Sequence, residues 1–165
     1  MPASLEQLRL GLSARDAAAR LEAAESLARL GQEARPAAVE LVRACGDDQA
    51  EAREWAAAAL EELGPPNEAD AAALAELVAS RETDVAYWAA TLLGRLEGRG
   101  AAFVESLAEA VNGHRHQHVR HRAAWALGEI AADAPAVRAA LETAAAAEDP
   151  RLARLAVAAL AALRP

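Results

Sequence analysis

All four histidines of this 165-residue chain fall within residues 113–122, GHRHQHVRHR. Neutral imidazole is a ligand for zinc, nickel or copper, and His118 and His121, three apart, share a face if the segment is helical. The pattern therefore offers a divalent-metal site made of His114, His116, His118 and His121. Against it, the segment holds no cysteine and no acidic residue, and its three arginines repel a cation. A second chemistry fits the same residues. No acidic residue occurs between Glu109 and Glu129, so Arg115, Arg120 and Arg122 form a basic patch with the histidines. Such a patch can receive a phosphate or an acidic partner, and more strongly as imidazoles protonate near their ordinary pKa of about 6.5. An ordinary solvated loop satisfies the pattern as well.

Catalytic signatures are absent. There is no Gly-rich phosphate loop, no HExxH, no nucleophile elbow, and no serine in a plausible Ser-His-Asp setting. Cys45 is the only cysteine and occupies a core-like position, so no internal disulfide can form and a reducing compartment is expected. The net charge of −8 gives no long-range attraction to nucleic acid or anionic membrane. The first residues lack a basic segment followed by an apolar run, and the alanine run at 56–59 is too short to cross a bilayer. The expectation is a cytoplasmic, non-catalytic protein that uses no cofactor and binds neither nucleic acid nor membrane.

The elements that must hold these residues follow from a ladder. Ala23-Leu27-Leu30, Ala56-Leu60-Leu63, Ala89-Leu93-Leu96, Ala123-Leu127-Ile130 and Ala156-Leu160-Leu163 share one internal spacing, that of a helix face. The copies recur every 33 or 34 residues, which is the mark of a solenoid whose units stack on their neighbours. Abundant alanine and scarce β-branched residues make the class all-α. Asp16 is placed to cap a helix ending before Gly31, and Pro36 suits the first turn of the next. The same plan repeats, giving four helical hairpins with an unpaired helix at each end and one domain over 1–165. Trp55 and Trp88 occupy one repeat position and Trp125 lies a turn further on; packing between repeats is the expected role of all three.

The ladder, Arg20, Arg53 and Arg120 near the helix starts, Gly94 and Gly128 after the central leucine, and the segments YWAATLLGRL and RAAWALGEI together resemble HEAT repeats. The likeness is to the short bacterial type found in phycobiliprotein-lyase-like HEAT proteins. It implies a right-handed α-solenoid, and arginines paired with acidic groups of the neighbouring turn, except where Ala86 and Ala153 replace them. It also implies that the second helices line a concave face, carrying Glu40, Arg43, Glu76, Glu109 and Glu142. Such a mildly acidic groove suits another protein, so a scaffold or adaptor is the first expectation. An accessory subunit in tetrapyrrole or bilin lyase-type chemistry is the alternative, and a metal-responsive binder through His114–His121 the third. HEAT-like di-iron hydroxylases use His-Glu pairs, and no His-Glu dipeptide occurs here. HEAT-like DNA glycosylases need a cationic groove, which this charge balance does not provide. Leu152, Leu155 and Leu160 of the last helix offer a surface for dimerisation if nothing covers them.

Overall fold

The computed structural model describes residues 3–164, which form two compact units divided after Asp70. In the first unit, helix α1 (Leu5–Gly11) starts with a capping box between Ser4 and Gln7. Helix α2 (Ala17–Leu30) is capped by the Asp16 carboxylate, which accepts from the Ala19 N–H at 2.9 Å. It ends at Gly31, whose φ of 54° a side chain would resist. A 3₁₀ segment, Gly31–Ala37, then leads into α3 (Ala38–Ala44). Pro36 thus sits in this tighter turn and not in the first turn of α3. Helix α4 (Ala50–Glu62) packs along α2, burying Ala23, Leu27, Ala56 and Leu60. Small alanines at the contact let the two backbones come close, so apolar burial is achieved by proximity more than by bulk.

The second unit contains α5 (Ala71–Leu77), α6 (Thr83–Arg95), α7 (Val104–Gly113), α8 (Gln117–Ile130), α9 (Pro135–Ala145) and α10 (Pro150–Ala162). Helix α8 is its centre, packing on α6, α7 and α10. The ladder residues of α6 and α8 are fully or almost fully buried, while Leu160 and Leu163 are half-buried. On α10, Leu152 is buried and so is unavailable as the docking residue its sequence position suggested; Leu155 is half-buried and Val157 is the large apolar residue left exposed. After α10 the chain pairs with the break following α8: the Arg164 N–H donates to the Ala131 carbonyl at 2.9 Å.

Gly94 explains how closely α6 and α8 approach, since a Cβ there would lie 2.7 Å from Trp125 Cζ3. Trp125 therefore packs between repeats as expected, and Trp88 is buried. Trp55 departs from that expectation, with 38% of its surface exposed. The architecture is an all-α solenoid of helical hairpins. No helix among the described residues is long and apolar enough to cross a membrane.

Candidate binding surfaces

The helix starts organise the turns. Arg20 donates to the carbonyls of Ala14 and Arg15, six and five residues back, and reaches forward to Asp47 and Asp48, each at 2.6 Å. Arg53 repeats the backward half of this pattern on the carbonyls of Asp47 and Asp48. Arg120 does so on the His114 carbonyl. The acidic pairing implied by the HEAT resemblance thus holds for Arg20. Burial pushes the Asp47 carboxyl up, but the hydrogen bonds from Arg20 and the Gln49 N–H outweigh it, and its pKa lies below the ordinary value.

In the second unit the forward clamp is made by a histidine. His121, 6% exposed, bonds Asp149 Oδ2 through Nε2 at 2.6 Å. Gln117 Nε2 and the N–H groups of Arg151 and Leu152 donate to the same carboxylate. The His121 bond foremost holds the Asp149 pKa down at about 2, against an opposing effect of burial.

The other histidines are turned to different tasks. His114 Nδ1 accepts the His116 N–H at 3.1 Å, which places the neutral ring's proton on Nε2, 3.1 Å from the Ser80 carbonyl it can donate to. His116 Nε2 accepts from Arg115 Nε at 2.9 Å. His118 is exposed, 6.4 Å ring to ring from His121. Among the described residues no three His, Cys, Asp or Glu converge on a point where a metal ion could sit. The three arginines also part company. Arg115 donates to the Arg81 carbonyl, Arg120 to the turn, and Arg122 to the Tyr87 hydroxyl.

Of the second-helix residues, Glu40 is half-buried and receives Arg9 at 2.7 Å, a bond that raises the guanidinium pKa. Arg43 on α3 is exposed, as are Glu76, Glu109 and Glu142 on α5, α7 and α9. A groove of about 390 Å³ runs between the turn that follows α5 and helix α7. Val78, Ala79 and Ala110 contribute its apolar surface, and Ser80, Arg81, Ser106, Glu109, His114 and Arg115 its polar surface. The structure therefore brings Glu109, from the acidic set, together with His114 and Arg115, from the basic set. Glu109 also borders a shallower groove towards α9, with Glu105, Ala136 and Ala140.

Tyr87, Asp149, Arg151 and Ser80 were not singled out by sequence, and the signal that finds them is the repeat period. Residues 32 to 35 apart meet on adjacent repeats: Gln117 with Asp149, His114 with Ser80, Arg122 with Tyr87.

Comparison with known proteins agrees with this arrangement. The family model of HEAT repeats matches residues 71–161. No curated protein sequence matches the chain. Among solved structures, an engineered protein from the Northeast Structural Genomics Consortium superposes with a TM-score of 0.64 at 22% identity, covering 98% of this chain and 79% of that one. The complex of CpcE and CpcF of phycocyanin lyase from Nostoc sp. PCC7120 gives 0.63 at 22% identity, covering 99% of this chain and 66% of that one. At such identities the likeness is one of fold.

Proposed function

This chain belongs to the HEAT-repeat family, and on that premise we propose that it is a non-catalytic protein-interaction scaffold or adaptor, engaging another protein through the groove between α7 and the turn after α5. The observation that carries this reading is the groove's composition: an apolar floor with Glu109 and Ser106 on α7 and Arg81, His114 and Arg115 on the turns. Two signs of charge across a short apolar strip suit a peptide segment of mixed charge. Because α7 builds one wall of the groove, that wall is ordered before binding. The single, buried Cys45 fits a reducing cytoplasm.

The test is affinity capture from lysate with the native chain and a Glu76→Arg/Glu109→Arg variant, followed by titration of the captured protein. A partner that binds the variant roughly tenfold or more weakly, with helical content unchanged, supports the groove. Undiminished capture by the variant removes it. The alternative, an accessory subunit in bilin lyase-type chemistry, has the shared fold in its favour; a chromophore retained through purification would favour it over the scaffold.

A further inference from the structure

Away from that groove, a second cleft of about 180 Å³ lies among α6, α8 and α10 of the second unit. Tyr87 of α6, His118, His121, Arg122 and Trp125 of α8, and Arg151 of α10 line it, and no acidic residue does. The Arg122 guanidinium carbon is 4.5 Å from the Tyr87 ring centre and 4.8 Å from that of Trp125. Such contacts hold the cation in place and strip some of its water without neutralising its charge. One of its N–H groups is spent on the Tyr87 hydroxyl, whose own hydrogen remains free to donate.

Neither Arg122 nor Arg151 has a carboxylate partner among the described residues. Arg9, Arg20 and Arg138 do, whereas Arg53, Arg115 and Arg120 are held by backbone carbonyls or a ring nitrogen. Asp149, which is bonded to His121, is already saturated by four donors and does not compete. His121 Nδ1 is buried and has no partner. Two unneutralised guanidiniums in one cleft repel each other, on a chain whose net charge is −8. A bound oxyanion would remove that repulsion.

We propose that this cleft binds a phosphate group, as inorganic phosphate or as the head of a small phosphomonoester. Arg122 and Arg151 donate to its oxygens, the Tyr87 hydroxyl adds a neutral donor, and Trp125 and Leu155 offer an apolar wall to an ester substituent. Two full positive charges and at least three donors match a dianion with three terminal oxygens better than a carboxylate with two. The volume is that of about six waters, enough for a phosphoryl group and the first atoms beyond it. The site is independent of the groove proposed above, so either can fail alone.

The experiment follows the Trp indole N–H signals of the ¹⁵N-labelled full chain by NMR, above pH 7. Inorganic phosphate, glycerol phosphate and acetate are each titrated at matched ionic strength, and Trp125→Phe assigns the Trp125 signal. A saturable shift of that signal with phosphate, roughly tenfold or more weaker with acetate and in Arg122→Gln and Arg151→Gln, supports the site. Tyr87→Phe keeps the ring and should weaken binding only a few-fold. Tighter binding of glycerol phosphate assigns a phosphomonoester, and equal binding assigns inorganic phosphate; both uphold the site. Arg151 is exposed, so its variant decides the matter should Arg122→Gln disturb folding. A non-saturating shift shared with acetate, or affinity unchanged in Arg151→Gln, overturns the proposal.

Discussion

The first unit follows its two long helices with Gly31 and Gly64 at positive φ, and the second places Glu97 and Ala131 at positive φ after α6 and α8. The four φ values are 54°, 76°, 52° and 56°. Glycine adopts this region freely, whereas a residue with a Cβ is strained there by about 1 kcal/mol. The turn clamps differ too. Arg20, permanently charged, spreads its bonds over two aspartates and two carbonyls, while His121 holds Asp149 by one nitrogen and leaves the other unbonded. At the position after the central leucine the first unit has Ala28 and Glu61, and the second has Gly94, Gly128 and Ala161. The second unit thus carries more backbone strain and, on two of its ladder helices, a glycine where the first unit has a side chain. Both candidate binding surfaces lie in it. A repeat array can keep one period while the chemistry that closes each repeat varies, and the variation collects where side chains are left with unspent capacity.

Substitutions can break this contrast in steps. Gly94→Ala should act most strongly, because the new Cβ meets Trp125 at 2.7 Å and the Ala126 Cα at 3.0 Å. A loss of about 1–3 kcal/mol in denaturant unfolding is expected, partly rescued by Trp125→Leu in a double-mutant cycle. Gly128→Ala meets Ala159 at 3.3 Å and should cost less than about 1.5 kcal/mol. If the two glycines prove equal, the Trp125 contact is not what sets the α6–α8 approach. Ala131→Gly and Glu97→Gly should raise stability by up to about 1 kcal/mol, and Gly64→Ala should lower it by a similar amount.

The smallest and most specific effect is on acid stability. The Asp149 pKa is depressed from 3.8 to about 2, so its contribution is complete above pH 4 and is lost as pH falls towards 2. Replacing His121 by leucine relaxes that depression, and the loss of Tm over this window should become shallower. The Asp47 contribution, held by Arg20, should remain in that variant. An unchanged acid limb would mean that His121 is not the group holding the Asp149 proton off.

The ladder made most of the fold legible, since the alanine and central leucine of each set lie within a helix, while Leu63, Leu96 and Leu163 are the cap residues just past the ends of theirs. The 3₁₀ segments at Gly31–Ala37 and Glu97–Phe103 were not legible. Proline and glycine mark where an α-helix is interrupted, but not whether the chain continues with tighter i→i+3 bonds. The histidine cluster shows the larger limit. Within 113–122 there is no acid, yet His121 has one, contributed by the N-cap of α10. Local composition describes a segment's own charge, and the neighbour 28 residues away decides what that charge meets. The arginines diverged for the same reason, each being claimed by a different element.

The helix caps and positive-φ residues form a ruler with one uneven division. Asp16 to Gly31, Gln49 to Gly64, Glu82 to Glu97 and His116 to Ala131 are each 15 residues apart. From those end points to the next N-cap the spacing is 18 residues, except from Glu97 to His116, where it is 19. The single extra residue of the array therefore falls in a returning half-repeat and never in a ladder half. An array of this kind can grow, shrink or be recombined by whole modules cut at the N-caps. Single-residue insertions should be accepted in the returning halves and rejected in the ladder halves, where one added residue turns every following side chain by about 100° around its helix axis.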